Sequence, residues 1–307
     1  MKKIILDTDI GSDIDDAIAL VFLLKSGLAE LSCITTGYRN AERRARLTKT
    51  ILKEFGGAKI PAYAGIDLPF VQIPEKIEPP FFAQNYDENG RYLPSQCLDE
   101  YLSDEIDGAD GIDKMIRILR ESPETEVLTI GPATNLATAI RIAPDIAVGR
   151  KIVMMAGCMK KLVLNEEVGP QYIAEWNVLV DPEAFNIVLR SGADITLIGL
   201  DVSHQCYLPK EAENSLLVCE SGIFGAMLQA WKKTFKTDVP PTLFDPIAAA
   251  AMLKPEYFTF KEYTLRVELQ GENRGVLLED CDGVKVKVAV EMDREKFFKF
   301  FSETVKK

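Results

Sequence analysis

Short apolar, β-branched runs alternate with stretches of helical period along most of the chain. Residues 3–6 read as a buried strand, and 15–25 repeat apolar positions at helical spacing. Acidic residues fill the first turn of that helix, where the helix dipole favours them. Residues 31–36 continue as a strand, 42–55 as a helix with its basic residues outward, and 60–64 as a short strand. The alternation resumes with a helix over 112–120, a strand over 127–130, a helix over 136–142 and a strand over 152–155. A helix over 181–190 and a strand over 195–200 follow. Such alternation implies right-handed crossovers and predicts an α/β fold, with an open, mostly parallel central sheet flanked by helices. Ligands of such sheets sit beyond the carboxyl ends of the strands. Two stretches break the rhythm. Residues 68–110, rich in Pro, Asp, Asn and aromatics, predict a long, partly irregular insertion over that site. Residues 206–242 hold helical pieces, Trp231 and a "VPPT" turn. After residue 256, "FTFKEYTLRVEL" and "VKVKVAVEM" alternate like half-exposed strands, which predicts a smaller antiparallel C-terminal element, closed by a helix over 294–306. With no internal repeat and no linker, residues 1–307 are expected to form a single domain.

Composition narrows the partners. Hydrophobic residues make up 47% of 307, enough for a sizeable core. A net charge of −11 argues against nucleic acid or an anionic membrane as partner. No apolar run reaches about 18 residues, so no membrane-spanning helix is expected. The opening turns acidic too soon for a signal peptide. Six scattered cysteines without a CxxC pair read as free thiols in a reducing cytoplasm. His204, the single histidine, excludes a His-rich zinc site.

The chemistry concentrates in "ILDTDIGSDIDDAIAL", where Asp7, Asp9, Asp13, Asp15 and Asp16 crowd a strand-to-helix turn. Helix capping accounts for Asp15 or Asp16. It does not account for Asp7 and Asp9, which follow a buried strand at the sheet's carboxyl end. Converging carboxylates need a cation, and hard oxygen ligands suit Ca²⁺ or Mg²⁺. An EF-hand fails on spacing, since Ser12 stands at its glycine position and Ile18 at its final glutamate, counted from Asp7. A phosphate-binding P-loop fails because no lysine follows. A Mg²⁺ phosphohydrolase built on strand–DxDx[TV] places Thr or Val where Gly11 stands, and remains a weaker alternative.

The same segment resembles the signature of the inosine–uridine type nucleoside hydrolases, usually DxDPGxDDAxAL. "IPAYAG" (60–65), "IGPATNLATAI" (130–140), "MAG" (155–157), "AEWNVLVDPEAFNIVLRSG" (174–192), "GLDVSHQ" (199–205), "FDPIAA" (244–249) and "ENRGVLLED" (272–280) are similar to further family segments, in order. The resemblance implies an open α/β sheet with a bound Ca²⁺, and hydrolysis of the N-glycosidic bond of a ribonucleoside. It implies that Asp9, Asp16, Asp245 and the Ile130 carbonyl hold the metal, and that Asp9 is the general base. It further implies ribose contacts from Asp15, Met155, Glu175 and Asn177, with Trp176 at the family's Phe position and Asp245 beside the sugar. A homo-oligomer, a dimer or tetramer, is also implied by the resemblance. Ca²⁺ with 6–8 oxygen ligands can bind vicinal ribose hydroxyls and a water whose pKa it lowers, leaving Asp9 to take the proton. If "AEWN" is a strand, Glu175 and Asn177 share one face.

The chain also departs from the family. Its opening motif is two residues longer, which leaves Asp13 surplus: either a support behind the metal ligands or a substitute for Asp9 or Asp15. The family's HDP is Phe244-Asp245-Pro246 here, and Phe244 cannot protonate a departing base. Tyr38 follows Gly37 where the family has Asn, with Asn40 as a candidate substitute. "DGADGIDKM" replaces the usual His-Gly pair. His204 reads as structural. The base then leaves either after stacking on Trp231, Phe235 or Trp176, or because it is already a good leaving group. Lys232, Lys233 and Lys236 read as an exposed helix face. Two other functions stay open on sequence alone: a non-catalytic ribosyl binder, and the phosphohydrolase with Asp7 or Asp9 as nucleophile.

Overall fold

A computed structural model describes residues 1–71, 86–103, 105–163, 167, 169–218 and 222–307. Among these, nine strands form one sheet in the order β3-β2-β1-β4-β5-β6-β9-β7-β8. Its parallel part comprises β1 (Lys2–Thr8), β2 (Ala29–Thr36), β3 (Ala62–Ala64), β4 (Glu126–Thr129), β5 (Lys151–Met155) and β6 (Asp194–Ile198). The crossovers carry α1 (Asp15–Ser26), α2 (Ala41–Glu54), α3 (Gly111–Glu121), α4 (Thr134–Ile142), α5 (Trp176–Val180) and α6 (Pro182–Leu189). After β6 come α7 (Leu200–Ser203), α8 (Lys210–Leu216), α9 (Ile223–Phe235) and α10 (Phe244–Leu253). The chain ends with β7 (Phe258–Val267), β8 (Leu277–Glu279), β9 (Val284–Met292) and α11 (Arg294–Val305).

The expected open, mostly parallel sheet is present. The C-terminal strands extend it: β9 runs parallel beside β6, and β7 is antiparallel to both β9 and β8. Pleating sends Ile4 and Leu6 of β1 into one core layer and Ile5 into the other. The first layer holds α1, which is buried almost all round and packs on α10 and α11. The run Ala248–Ala251 lets α10 come close to its neighbours. The starts of α1 and α10 therefore lie side by side at the carboxyl edge of the sheet.

Two local expectations are corrected. "AEWN" is not a strand: Glu175 caps the five-residue α5, its carboxylate accepting the Asn177 and Val178 N–H groups. On α2 the basic residues do not all face outward, because Arg44 is fully buried. The described part of the 68–110 stretch packs against the aspartate loop from outside. There Gln96 donates its side-chain amide to the Ser12 carbonyl at 2.9 Å and its main-chain N–H to Gly11 at 2.9 Å. The rest of its expected placement over the site falls largely on residues 72–85, outside the described residues. No helix among the described residues is long and apolar enough to cross a membrane.

Candidate active site

The loop between β1 and α1 is built before any ligand is considered. Gly11 has φ +112°, and a Cβ there would lie 2.7 Å from the Cys97 sulfur, so the turn needs glycine. Arg44 threads under the loop from α2. Its Nη1 donates to the Asp9 carbonyl, and to the Ile10 carbonyl at 2.9 Å. Its Nη2 donates to Ser12 Oγ at 3.0 Å, and its Nε to the Tyr38 carbonyl at 2.6 Å. Among the described residues it is the one buried cation. Sequence reasoning missed it, since "AERRARLTK" looks like any solvated helix face.

The five aspartates separate by direction. Asp7 faces the sheet, not the cavity. The β1 register sets it opposite Thr35 and Thr129, and it accepts the Thr35 hydroxyl at 2.6 Å, the Asn135 amide at 2.8 Å and the Thr129 hydroxyl at 3.4 Å. Burial pushes its pKa up to about 6 against those hydrogen bonds. A nucleophilic Asp7, one form of the phosphohydrolase alternative, has no open face here. Asn135 is wedged where a Cβ on Gly65 would lie 2.4 Å from its oxygen and a Cβ on Gly37 2.9 Å from its nitrogen. The "TTG", "YAG" and "TNLA" segments thus meet at one hydrogen-bonded joint beneath the site.

Asp9, Asp13, Asp15 and Asp16 line a cavity of about 290 Å³ with Asp245, Ile130, Met155 and "AEWN" residues 174–177. Ser12, Ile173, Leu200, Phe235 and Phe244 complete the lining. Asp15 and Asp16 open α1 and Asp245 opens α10, so two positive helix ends point at the carboxylates. Asp15, Asp16 and Asp245 each offer an oxygen within 4.8 Å of the others. Asp9 lines the same cavity outside that tightest group, and Gly131 lets it pack there, since a Cβ at Gly131 would lie 2.8 Å from Asp9 Oδ1. Asp16 accepts the Thr8 hydroxyl at 2.5 Å, and Asp15 accepts the Asp245 N–H at 3.2 Å.

The electrostatics of this set call for a cation. Burial raises the pKa of Asp9, with Arg44 opposing. Burial, then the mutual repulsion of Asp15, Asp16, Asp245 and their neighbours, raises those three well above the ordinary carboxylate range. Four buried carboxylates around one space, with one buried guanidinium nearby among the described residues, fit a hard divalent ion.

The sugar-side candidates are also assembled. Glu175 accepts main-chain N–H groups from Asn177 at 2.8 Å and Gly157 at 3.1 Å, and burial pushes its pKa up to about 7. Asn177 donates its amide to the Ile130 and Met155 carbonyls, both at 3.1 Å, tying the ends of β4 and β5 together. A carbonyl has a second lone pair, so Ile130 can still face a cation. Trp176 lines the cavity with the Tyr38 ring edge-on to it at 6.4 Å. Asp181 of the "DPEA" run is structural, capping α6 and accepting the Thr134 hydroxyl at 2.7 Å.

The remaining candidates fall elsewhere. Phe235 and Phe244 line the cavity, but Trp231 lies behind Phe235. Asn40 caps α2, and His204 ends α7 outside the lining. Lys232, Lys233 and Lys236 are exposed.

Known proteins share this architecture. The sequence pattern described as inosine-uridine preferring nucleoside hydrolase matches residues 4–299. The non-specific ribonucleoside hydrolase RihC of Escherichia coli O7:K1 is 31% identical over 318 residues, covering 98% of this chain and 97% of its own. Among solved structures, a plant nucleoside hydrolase superposes with a TM-score of 0.78 at 27% identity, covering 99% of both chains. A purine-preferring ribonucleoside hydrolase from Gardnerella vaginalis gives 0.76 at 28% identity, covering 99% of this chain and 98% of that one. With a carboxylate-lined cavity at the sheet's carboxyl edge and a match over nearly its whole length, the chain belongs to the inosine-uridine preferring nucleoside hydrolase family, a class of N-ribosyl hydrolases.

Proposed function

We propose that the enzyme hydrolyses the N-glycosidic bond of a ribonucleoside to free base and ribose in a Ca²⁺-dependent reaction. The observation that carries this reading is one cavity whose wall combines a cluster of buried carboxylates with aromatic and aliphatic side chains. Asp9, Asp16, Asp245 and the Ile130 carbonyl would hold the ion. When bound, Ca²⁺ supplies a site for vicinal ribose hydroxyls and makes water more acidic. Asp15, Glu175, Asn177 and Met155 orient the sugar, with Trp176 along it and Asp245 beside it. Binding every hydroxyl fixes C1′ for attack.

Asp9 takes the proton of the attacking water. The water oxygen bonds to C1′, the C1′–N bond breaks, and its electron pair goes to the base nitrogen. Positive charge builds on the sugar in this kind of reaction, and the surrounding carboxylates stabilise it. Phe244, Phe235, Leu200 and Ile173 would enclose the base. Phe244 has no proton to give, so bases that leave without an acid are favoured. A homo-oligomer of single-domain subunits completes the proposal, and light scattering of the purified protein reads its size.

The test is ribose release from a panel of purine and pyrimidine nucleosides and nicotinamide riboside, with and without Ca²⁺. Turnover that a chelator abolishes and Ca²⁺ restores is the expected result, with Asp9→Asn losing roughly 10²–10⁴-fold in kcat. No release from any of these substrates with Ca²⁺ present would overturn the reading.

A further inference from the structure

Asp13 lines the cavity, yet neither the cation set nor the sugar contacts use it. Its Oδ1 accepts two N–H groups: the Ile14 main chain at 2.7 Å and the Trp231 indole at 2.7 Å. The second bond joins the aspartate loop to α9. Trp231 is only 5% exposed and lies outside the cavity lining. Its ring stacks on Phe235 one helical turn later, with centroids 5.2 Å apart and planes at 28°. Phe235 is the last residue of α9 and does line the cavity, and Lys236 then ends the helix at φ 50°. Contacts therefore run from Asp13 through the Trp231 indole to the Phe235 ring and into the cavity. A buried indole N–H is a donor only and needs an acceptor. Here the residue that makes the opening motif longer than its family's supplies it.

We propose that Asp13 is a positioning residue for the base: it latches Trp231, and through Trp231 it holds Phe235 in the cavity wall. The inference rests on the nucleoside hydrolase reading of that cavity. Asp13 acts on how the base is held, and the bond-breaking groups are Asp9 and its neighbours. Loss of the latch therefore weakens base binding more than it slows the chemical step.

The experiment compares wild type, Asp13→Ala, Asp13→Asn, Trp231→Phe and the Asp13→Ala/Trp231→Phe double variant on inosine. Asp13→Ala is expected to raise KM about tenfold, the size of one lost hydrogen bond to a charged group, with kcat changed much less. Asp13→Asn keeps an oxygen for the indole N–H and recovers most of that change. Trp231→Phe gives a similar rise, and the double variant is no worse than the worse single variant, because both remove one contact. In a Trp176→Phe background, where Trp231 is the only tryptophan, Asp13→Ala shifts the fluorescence emission and Asp13→Asn does not. Additive effects in the double variant, or a fall in kcat with KM unchanged, would overturn the latch and place Asp13 among the reacting groups. If the wild type releases no ribose, the hydrolase reading fails on that result alone. The latch is then read from the Trp231 emission and its response to inosine, and an emission indifferent to Asp13→Ala overturns it.

Discussion

Arg44 does for the aspartate loop what no neutral side chain could. Its planar fork satisfies main-chain carbonyls of Tyr38, Asp9 and Ile10 at once, and its charge lies under a run of carboxylates. Arg44→Met keeps much of the volume but strands those buried acceptors. We expect at least about 3 kcal/mol less stability, measured by urea unfolding. Arg44→Lys should recover little, because one ammonium cannot reach the same set of carbonyls. In the cavity wall, Phe244 is the informative residue. Phe244→His places a titratable donor at the start of α10, and kcat for inosine should rise by roughly 10²-fold below pH 6.5, the low end for an added general acid. Nicotinamide riboside, whose ring nitrogen is already cationic, should gain little. Equal gains on both substrates would mean that Phe244 does not face the base. The aspartates were legible because charged groups placed after a buried strand have few structural uses, and "AEWN" only through its likeness to the family's segment. Arg44 was not, since burial of a single arginine leaves no periodic trace.

At the scale of elements, the site depends on where α1 and α10 begin. Asp15, Asp16 and Asp245 come together because two apolar helices pack side by side and start at the same edge of the sheet. The alanine run of α10 permits that approach. Ala249→Leu forces the tightly packed core apart and should cost about 1–3 kcal/mol, read by thermal or urea unfolding. It should also weaken Ca²⁺ binding, since Asp245 moves with its helix while Asp15 and Asp16 stay with α1; calcium titration calorimetry checks this. Unchanged Ca²⁺ affinity in a destabilised variant would show that the carboxylates adjust independently of the helix packing. Helices and strands of ordinary length were readable from their periods. α5 was not, because five residues are too few to display a 3.6-residue period. Only the folding back of Glu175 onto its own helix start distinguishes it from a strand. The partner of β9 was equally hidden: alternation marks a half-exposed strand, but not which strand of the sheet it joins.

For the whole molecule, the carboxylates make stability, pH and metal a single linked problem. Asp7 and Asp13 are pushed up to about 6 and Glu175 to about 7, each chiefly by burial, and Asp9, Asp15, Asp16 and Asp245 also lie above their ordinary 3.8. Without a cation, the folded chain holds protons at these groups that the unfolded chain has released. The folded state thus binds more protons, and stability falls as pH rises. The stabilisation is fully present below the ordinary values near 4 and is lost as pH climbs through 6 to 7. The net charge of −11 adds self-repulsion in the same direction. The Tm of chelator-treated protein should therefore decrease between pH 5 and 7.5. Ca²⁺ binds the ionised carboxylates and must displace the remaining protons, so its stabilising effect should be small at pH 5 and grow toward pH 7.5. A thermal-shift grid of pH against Ca²⁺ concentration reads both slopes. If chelated protein gained stability over that range, or if Ca²⁺ raised Tm equally at both ends, the buried carboxylates would already be neutralised by groups of the protein itself. The acidic cluster would then be a structural network without need of a metal.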